Sequence, residues 1–178
     1  IQSDNYEFRS SIYGDYNFSN LASSITIGKF LDLTNEQIQK GLDLFENDSN
    51  RSEVIKFGSN RIFLDAYNAN PTSIKAAILN FDKEVTDNKI LVLGDMFELG
   101  EYSDKEHQSV IDLIDLENYE KVYLVGSNFY KCNTKDIKIE KFHSLDEMNK
   151  SFNLNDFNSM NILIKGSRGI GLEKLVNY

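Results

Sequence analysis

Three uninterrupted apolar runs, Ile90-Leu91-Val92-Leu93, Val122-Tyr123-Leu124-Val125 and Ile162-Leu163-Ile164, constrain this chain most. Runs without polar alternation belong to strands covered on both faces, which is the signature of a parallel sheet. A weaker, more polar strand is expected from Ile137 to Phe142. Between the runs, Ser103-Asp104-Lys105-Glu106 and Ser144-Leu145-Asp146-Glu147 have the S-x-x-E form of a helix start, the first leading into Val110, Ile111 and Ile114. Strands alternating with helices predict an α/β fold: a mostly parallel open sheet flanked by helices, with right-handed crossovers. Val54 to Phe57 and Ile62 to Leu64 flank Gly58-Ser59-Asn60 and predict a hairpin at its edge.

The first 50 residues follow another pattern. Tyr6 to Ile12 alternates like a strand, and Phe18, Leu21, Ala22 and Ile25 trace one face of a helix from about Tyr16 to Leu31. Thr34-Asn35-Glu36-Gln37 has the T-x-x-Q capping-box form, with Ile38, Leu42 and Phe45 as the stripe of a second helix. Glu46-Asn47-Asp48-Ser49-Asn50 is polar and turn-rich, which predicts a boundary between a strand-plus-two-helix region, 1–50, and an α/β domain, 51–178. A helical pair of this kind predicts an exposed apolar face and some self-association through it.

Composition narrows the function. Nineteen basic against 28 acidic residues give a net charge of −9, which disfavours nucleic acid and anionic membranes. No apolar run is long enough to insert in a membrane, and Ile1 to Asn5 carries no export signal, so a cytoplasmic location is expected. The one cysteine, Cys132, has no internal disulfide partner, and no Cys/His cluster has zinc-ligand spacing.

Polar residues gather where strands should end. Asp65-Ala66-Tyr67-Asn68-Ala69-Asn70-Pro71 follows an apolar strand and precedes the helical stripe Ile74, Ala77, Ile78 and Phe81. Asn70 suits an N-cap and Pro71, the only proline, the first helical position. Ligands of open α/β sheets lie at such carboxyl ends, next to helix N-termini. Gly94-Asp95-Met96, Gly126-Ser127-Asn128 and Lys165-Gly166-Ser167-Arg168-Gly169 are expected on the same rim. Lys165 and Arg168 suit a carboxylate or phosphate approached by the glycine backbone, or else the glycines merely turn the chain. Asp95 and Glu98 could orient a cation or amine, or Asp95 could cap a helical turn with Glu98 solvated. His107 fits a half-buried structural histidine better than a base, because no nucleophile is paired with it. Asn17 and Asn20 share a helix face and could read a nucleobase edge or simply cap. No G-x-x-x-x-G-K-[ST] loop occurs, and Gly166 to Gly171 does not follow the dinucleotide order.

Five collinear segments resemble the Mur ligases, ATP-dependent amide-bond formers of peptidoglycan synthesis and cell-wall biogenesis. Gly14-Asp15-Tyr16-Asn17-Phe18-Ser19-Asn20 resembles their G-x-[HY]-N-x-x-N helix start, and Arg51-Ser52-Glu53 their R-x-E. Asp65 to Pro71, Leu93 to Gly100 with His107, and Lys165 to Arg168 resemble the D-x-Y-N-A-N-P, L-G-D-M-x-E-L-G…H and K-G-S-R of the branch that joins D-alanyl-D-alanine to UDP-N-acetylmuramoyl-tripeptide. Sister branches and folylpolyglutamate synthases tend to carry D-Y-A-H-x-P instead. The resemblance covers the tail of the central ATPase domain and the C-terminal domain. It implies a fragment that uses ATP and Mg2+ only within the longer enzyme, with no catalytic residue and no metal ligand of its own. It further implies Asn17 and Asn20 at adenine, Arg51 at a phosphate, Asp65 at the ribose hydroxyls, and Tyr67, Asn68 and Asn70 along the same wall. Asp95, Lys165, Ser167 and Arg168 are implied at the incoming dipeptide. The rival expectation is a non-catalytic α/β module that binds a small anionic ligand or nucleotide.

Overall fold

Apolar residues of the chain gather into separate cores in two units, Ile1–Asp48 and Ser49–Tyr178. The computed structural model describes residues 1–10, 12, 17–45, 53–134 and 136–176. Gly14 to Tyr16, the linker 46–50, Arg51 and Ser52 lie outside the described residues.

In the first unit, β1 (Gln2–Ser3) and β2 (Tyr6–Glu7) form an antiparallel hairpin. Its turn residues Asp4 and Asn5 have φ of 48° and 63°, a left-handed pair that Asp and Asn tolerate. The expected strand from Tyr6 to Ile12 therefore ends early, at Glu7, and folds back on its own upstream residues. Helix α1 spans Phe18–Phe30 and α2 spans Asn35–Asp43. The Thr34–Gln37 capping box forms in full, each side chain accepting from the other residue's backbone N–H. Phe8, Ile25 and Ile38 make the core, with Ile1, Tyr6 and Leu42 against it. The other side of α1 exposes Ile27, Phe30 and Leu31, Phe30 to 85%.

The second unit is the α/β sheet that the apolar runs predict. Strands β3 (Glu53–Phe57) and β4 (Asn60–Asp65) form the antiparallel hairpin, followed by α3 (Pro71–Glu84) and β5 (Lys89–Gly94). Then come α4 (Ser103–Leu113), β6 (Lys121–Val125), α5 (Ser127–Lys131), β7 (Ile139–Phe142), α6 (Leu145–Met148) and β8 (Asn161–Lys165). The order across the sheet is β3-β4-β8-β5-β6-β7, parallel from β4 onward. Because crossovers are right-handed, the walk from β4 through β5 and β6 to β7 sets α3, α4 and α5 on one face, and the return to β8 sets α6 on the other. The packing agrees: Phe63 meets Phe81 of α3 edge to face at 5.1 Å, while Leu64, Val92 and Ile164 share a core with Leu145 and Met148 of α6. Burying each such side chain stabilises the fold by about 1.5–3 kcal/mol.

Local signals fare unevenly. Asn70 caps α3, accepting from the Ser73 N–H at 2.8 Å, with Pro71 at the first position. Ser144 caps α6 through the Glu147 N–H, but Glu147 reaches one residue further back, to the His143 N–H. The expected Ser103–Glu106 box does not form. A 3-10 turn over Gly100–Tyr102 runs straight into α4, so Ser103 already stands inside the helix and Tyr102 occupies the cap position.

Candidate functional site

The parallel register brings the polar segments level. Asp65 ends β4 opposite Lys165 at the end of β8, Leu93 also faces Lys165, and Gly94 faces Val125. Asp65, Asp95, Lys165, Ser167 and Arg168 thus occupy one rim of one sheet, although Asp65 and Lys165 are 100 residues apart in the chain. Strand termini supply this geometry, because the chain leaves each buried strand there and must turn through polar backbone.

What each side chain does on that rim separates the candidates. The Lys165 ammonium, with 2% of its side chain exposed, lies 2.6 Å from Asp65 Oδ2 and donates to the Asn68 carbonyl at 3.1 Å. Ser167 is 4% exposed; its hydroxyl accepts from the Phe97 N–H at 3.2 Å and donates to the Ala69 carbonyl at 3.5 Å. Its own N–H donates to the Asp95 carbonyl. Lys165 and Ser167 therefore knit the loops after β4, β5 and β8 together. Both residues, implied at the incoming dipeptide, are thus buried at the rim.

Asp95, also implied at the dipeptide, is likewise held by the protein's own backbone. It is 1% exposed, and its two carboxylate oxygens accept from the backbone N–H groups of Asn128 and Phe129, each at 2.8 Å, at the start of α5. Its role here is the helix-capping alternative, and Glu98 beside it is exposed. Gly126 makes the contact feasible: at φ +128° it lies so close that an added Cβ would fall 2.2 Å from Asp95 Cγ.

His107 is wholly buried. Its Nε2 accepts from the Met96 N–H at 3.0 Å, which leaves Nδ1 to donate to the Ser103 carbonyl at 2.7 Å. Both ring nitrogens are thereby used in the neutral tautomer, so the 3.7 Å approach of Nε2 to Asp95 is not an ion pair. The histidine fastens α4 beneath the β5 loop.

The solvent-facing part of the rim is smaller. It comprises half-buried Asp65 and Tyr67 with exposed Asn68, Asn70, Phe97 and Arg168. The Arg168 guanidinium lies over the Tyr67 ring, 5.4 Å from its centre. Such a stack orients the fork of donors toward a planar anion. Phe97 packs over Gly169, where an added Cβ would come within 2.6 Å of its ring. Gly166 likewise faces the Gly94 backbone. These glycines admit neighbouring protein, not the ligand that a glycine-rich loop suggests. Sequence patterns did not single out Phe97 or the Tyr67–Arg168 stack; the bare Gly169 beside Arg168 was the one available signal.

Asn17 and Asn20 belong to the first unit. Asn17 occupies the N-cap position of α1 without a side-chain cap, and its Oδ1 accepts from Asn20 Nδ2 at 3.1 Å. Among the described residues, no group of three or more His, Cys, Asp or Glu side chains is placed to hold a metal ion, and no helix is long and apolar enough to cross a membrane.

Residues 50–168 match the family described as Mur ligase, glutamate ligase domain. The chain is 35% identical over 132 residues to the UDP-N-acetylmuramoyl-tripeptide--D-alanyl-D-alanine ligase of Rickettsia prowazekii, covering 72% of this chain and 29% of that protein. It is 33% identical over 174 residues to the ligase of the same description from Bacillus subtilis, covering 93% and 38%. Among solved structures, UDP-N-acetylmuramoylalanyl-D-glutamyl-2,6-diaminopimelate--D-alanyl-D-alanyl ligase from Acinetobacter baumannii superposes with a TM-score of 0.77 at 28% identity, covering 96% of this chain and 37% of that one. The chain thus spans less than two fifths of the length of these relatives.

Proposed function

Since this chain belongs to the Mur ligase family through its glutamate ligase domain, we propose that it is the carboxyl-terminal part of the ligase that joins D-alanyl-D-alanine to UDP-N-acetylmuramoyl-tripeptide. The observation that carries the proposal is the meeting of the D-x-Y-N-A-N-P, G-D-M and K-G-S-R segments on one sheet rim. In the family reaction the γ-phosphate of ATP passes to the tripeptide carboxylate. The dipeptide amine then attacks the acyl phosphate, forming the amide and releasing phosphate. The share of this chain in that chemistry is positioning and charge neutralisation. Asp65 takes the ribose hydroxyls, since a carboxylate accepts from two vicinal donors at once. Tyr67, Asn68 and Asn70 form the wall beside it. Arg168, stacked and exposed, meets the dipeptide carboxylate. Asn17 and Asn20 are assigned to adenine and Arg51 to a phosphate. Mg2+ is held by residues outside this set, and the work is done in the cytoplasm. The first unit, with Ile27, Phe30 and Leu31 exposed, supports weak self-association of the chain when alone.

The test uses the whole protein that carries this chain, with MgATP, UDP-N-acetylmuramoyl-tripeptide and D-alanyl-D-alanine. Phosphate release should depend on the dipeptide, and Asp65→Ala should lower kcat/KM for ATP by about tenfold or more. Phosphate release indifferent to the dipeptide would overturn the proposal. The 178-residue chain alone should form no amide bond; if it instead bound nucleotide by calorimetry in an Arg168-dependent way without any ligation in the whole protein, a non-catalytic anion-binding module would replace it.

A further inference from the structure

We infer that Lys165 is a positioning residue for the nucleotide wall: its buried ammonium fixes the direction of the Asp65 carboxylate and the path of the loop after it. The inference rests on the ribose assignment of Asp65 proposed above. One cation bridges two acceptors three residues apart, Asp65 Oδ2 at 2.6 Å and the Asn68 carbonyl at 3.1 Å. Those acceptors are a carboxylate and a carbonyl, which repel each other if the cation is removed. Holding both on one ammonium turns the Asn68 carbonyl inward, and the Asn68 side chain, exposed, bends back to accept from the Ala69 N–H at 2.9 Å. The segment then reaches Asn70 already set to cap α3. Ser167, two residues past Lys165, adds a third tie through the Ala69 carbonyl. Lys165 is 1% exposed, so its charge acts through Asp65 and the loop, not by touching a substrate carboxylate.

The two roles separate kinetically in the whole protein. Lys165→Met keeps a long side chain and removes the charge. It should raise the KM for ATP about tenfold while the KM for D-alanyl-D-alanine stays within about twofold, the split expected of a lost ground-state contact on one substrate. A dipeptide KM that rises as much as that for ATP, or no change in either, would overturn the inference. Should Lys165→Met fail to fold, Lys165→Arg, which keeps the cation but moves its donors, is judged by the same split. Should the whole protein show no ligation at all, the proposed function falls by itself, and backbone amide exchange in the 178-residue chain decides for Lys165. Exchange at residues 67–70 about tenfold faster in Lys165→Met supports positioning, and unchanged exchange ends it.

Discussion

Each end of the sheet holds a buried lysine paired with an aspartate, and the two pairs are nearly alike in geometry. Lys89, the first residue of β5, has 3% of its side chain exposed and lies 2.6 Å from Asp82; Lys165, the last residue of β8, has 2% exposed and lies 2.6 Å from Asp65. Their surroundings differ. Lys89 sits over the Tyr119 ring, 4.8 Å from its centre, and the Tyr119 hydroxyl donates to the same Asp82 oxygen. That network closes on itself, tying α3 to β5 and to the turn before β6. Lys165 instead holds the main chain of a polar loop whose neighbours Asn68, Asn70 and Arg168 face solvent. Burial and ion pairing are therefore no mark of function in themselves. The strand end to which the pair belongs decides, because only the carboxyl ends of parallel strands gather loops around a crevice.

Even at the carboxyl end some charge is scaffold, and the largest expected effect tests that. In Gly126→Ala the new Cβ would meet Asp95 at 2.2 Å while the backbone holds φ at +128°. Strain and overpacking together should cost about 3–5 kcal/mol, read as a fall in the denaturant midpoint. A loss under about 1 kcal/mol would mean that Asp95 is free to leave α5 and turn toward a ligand. Next is Lys89→Met, which leaves Asp82 partly buried without its cation and should cost about 3 kcal/mol of stability. If the whole protein ligates as proposed, its KM for ATP should stay unchanged in Lys89→Met, in contrast to Lys165→Met. A tenfold rise in that KM with Lys89→Met would break the distinction between the two ends.

Local grammar made most of the fold legible. The apolar runs became β5, β6 and β8, and the Asn70-Pro71 start and the Thr34–Gln37 box depend only on residues within one turn. Ser103 misled because a preceding 3-10 turn, absent from a capping pattern, carries the helix back past it. The rim was legible for the same local reason, since each polar cluster follows a strand. Which rim residues face solvent was not. Lys165 meets Asp65 across 100 residues, Ser167 meets Phe97 across 70, and Asp95 meets Phe129 across 34. Such pairings depend on strand register, and no short-range pattern carries that. A lysine in K-G-S-R reads as a ligand for an anion until the neighbouring strand supplies the anion.

The smallest effect at neutral pH belongs to two buried tyrosines, Tyr119 beside the Lys89 pair and Tyr123 within β6, and it grows in alkali. Burial, then the hydrogen bond to Asp82, pushes the Tyr119 phenol far above its ordinary value, and burial, then the charge of Glu140, pushes Tyr123 up to about 12. Both are acids whose folded pKa is raised, so the fold favours their neutral form. Their contribution is whole below about pH 10, where unfolded tyrosine is also neutral. Above it the unfolded chain binds fewer protons than the folded one, and stability should fall by about 1.4 kcal/mol per pH unit for each tyrosine. Tyr119→Phe should cost about 1 kcal/mol at neutral pH, where the bond to Asp82 is lost, and should remove its share of the alkaline slope while Tyr123 keeps its own. Denaturant midpoints from pH 9 to 11 measure both. A slope unchanged by Tyr119→Phe would show that the phenol already ionises in the fold, so that the network around Asp82 does not hold its proton.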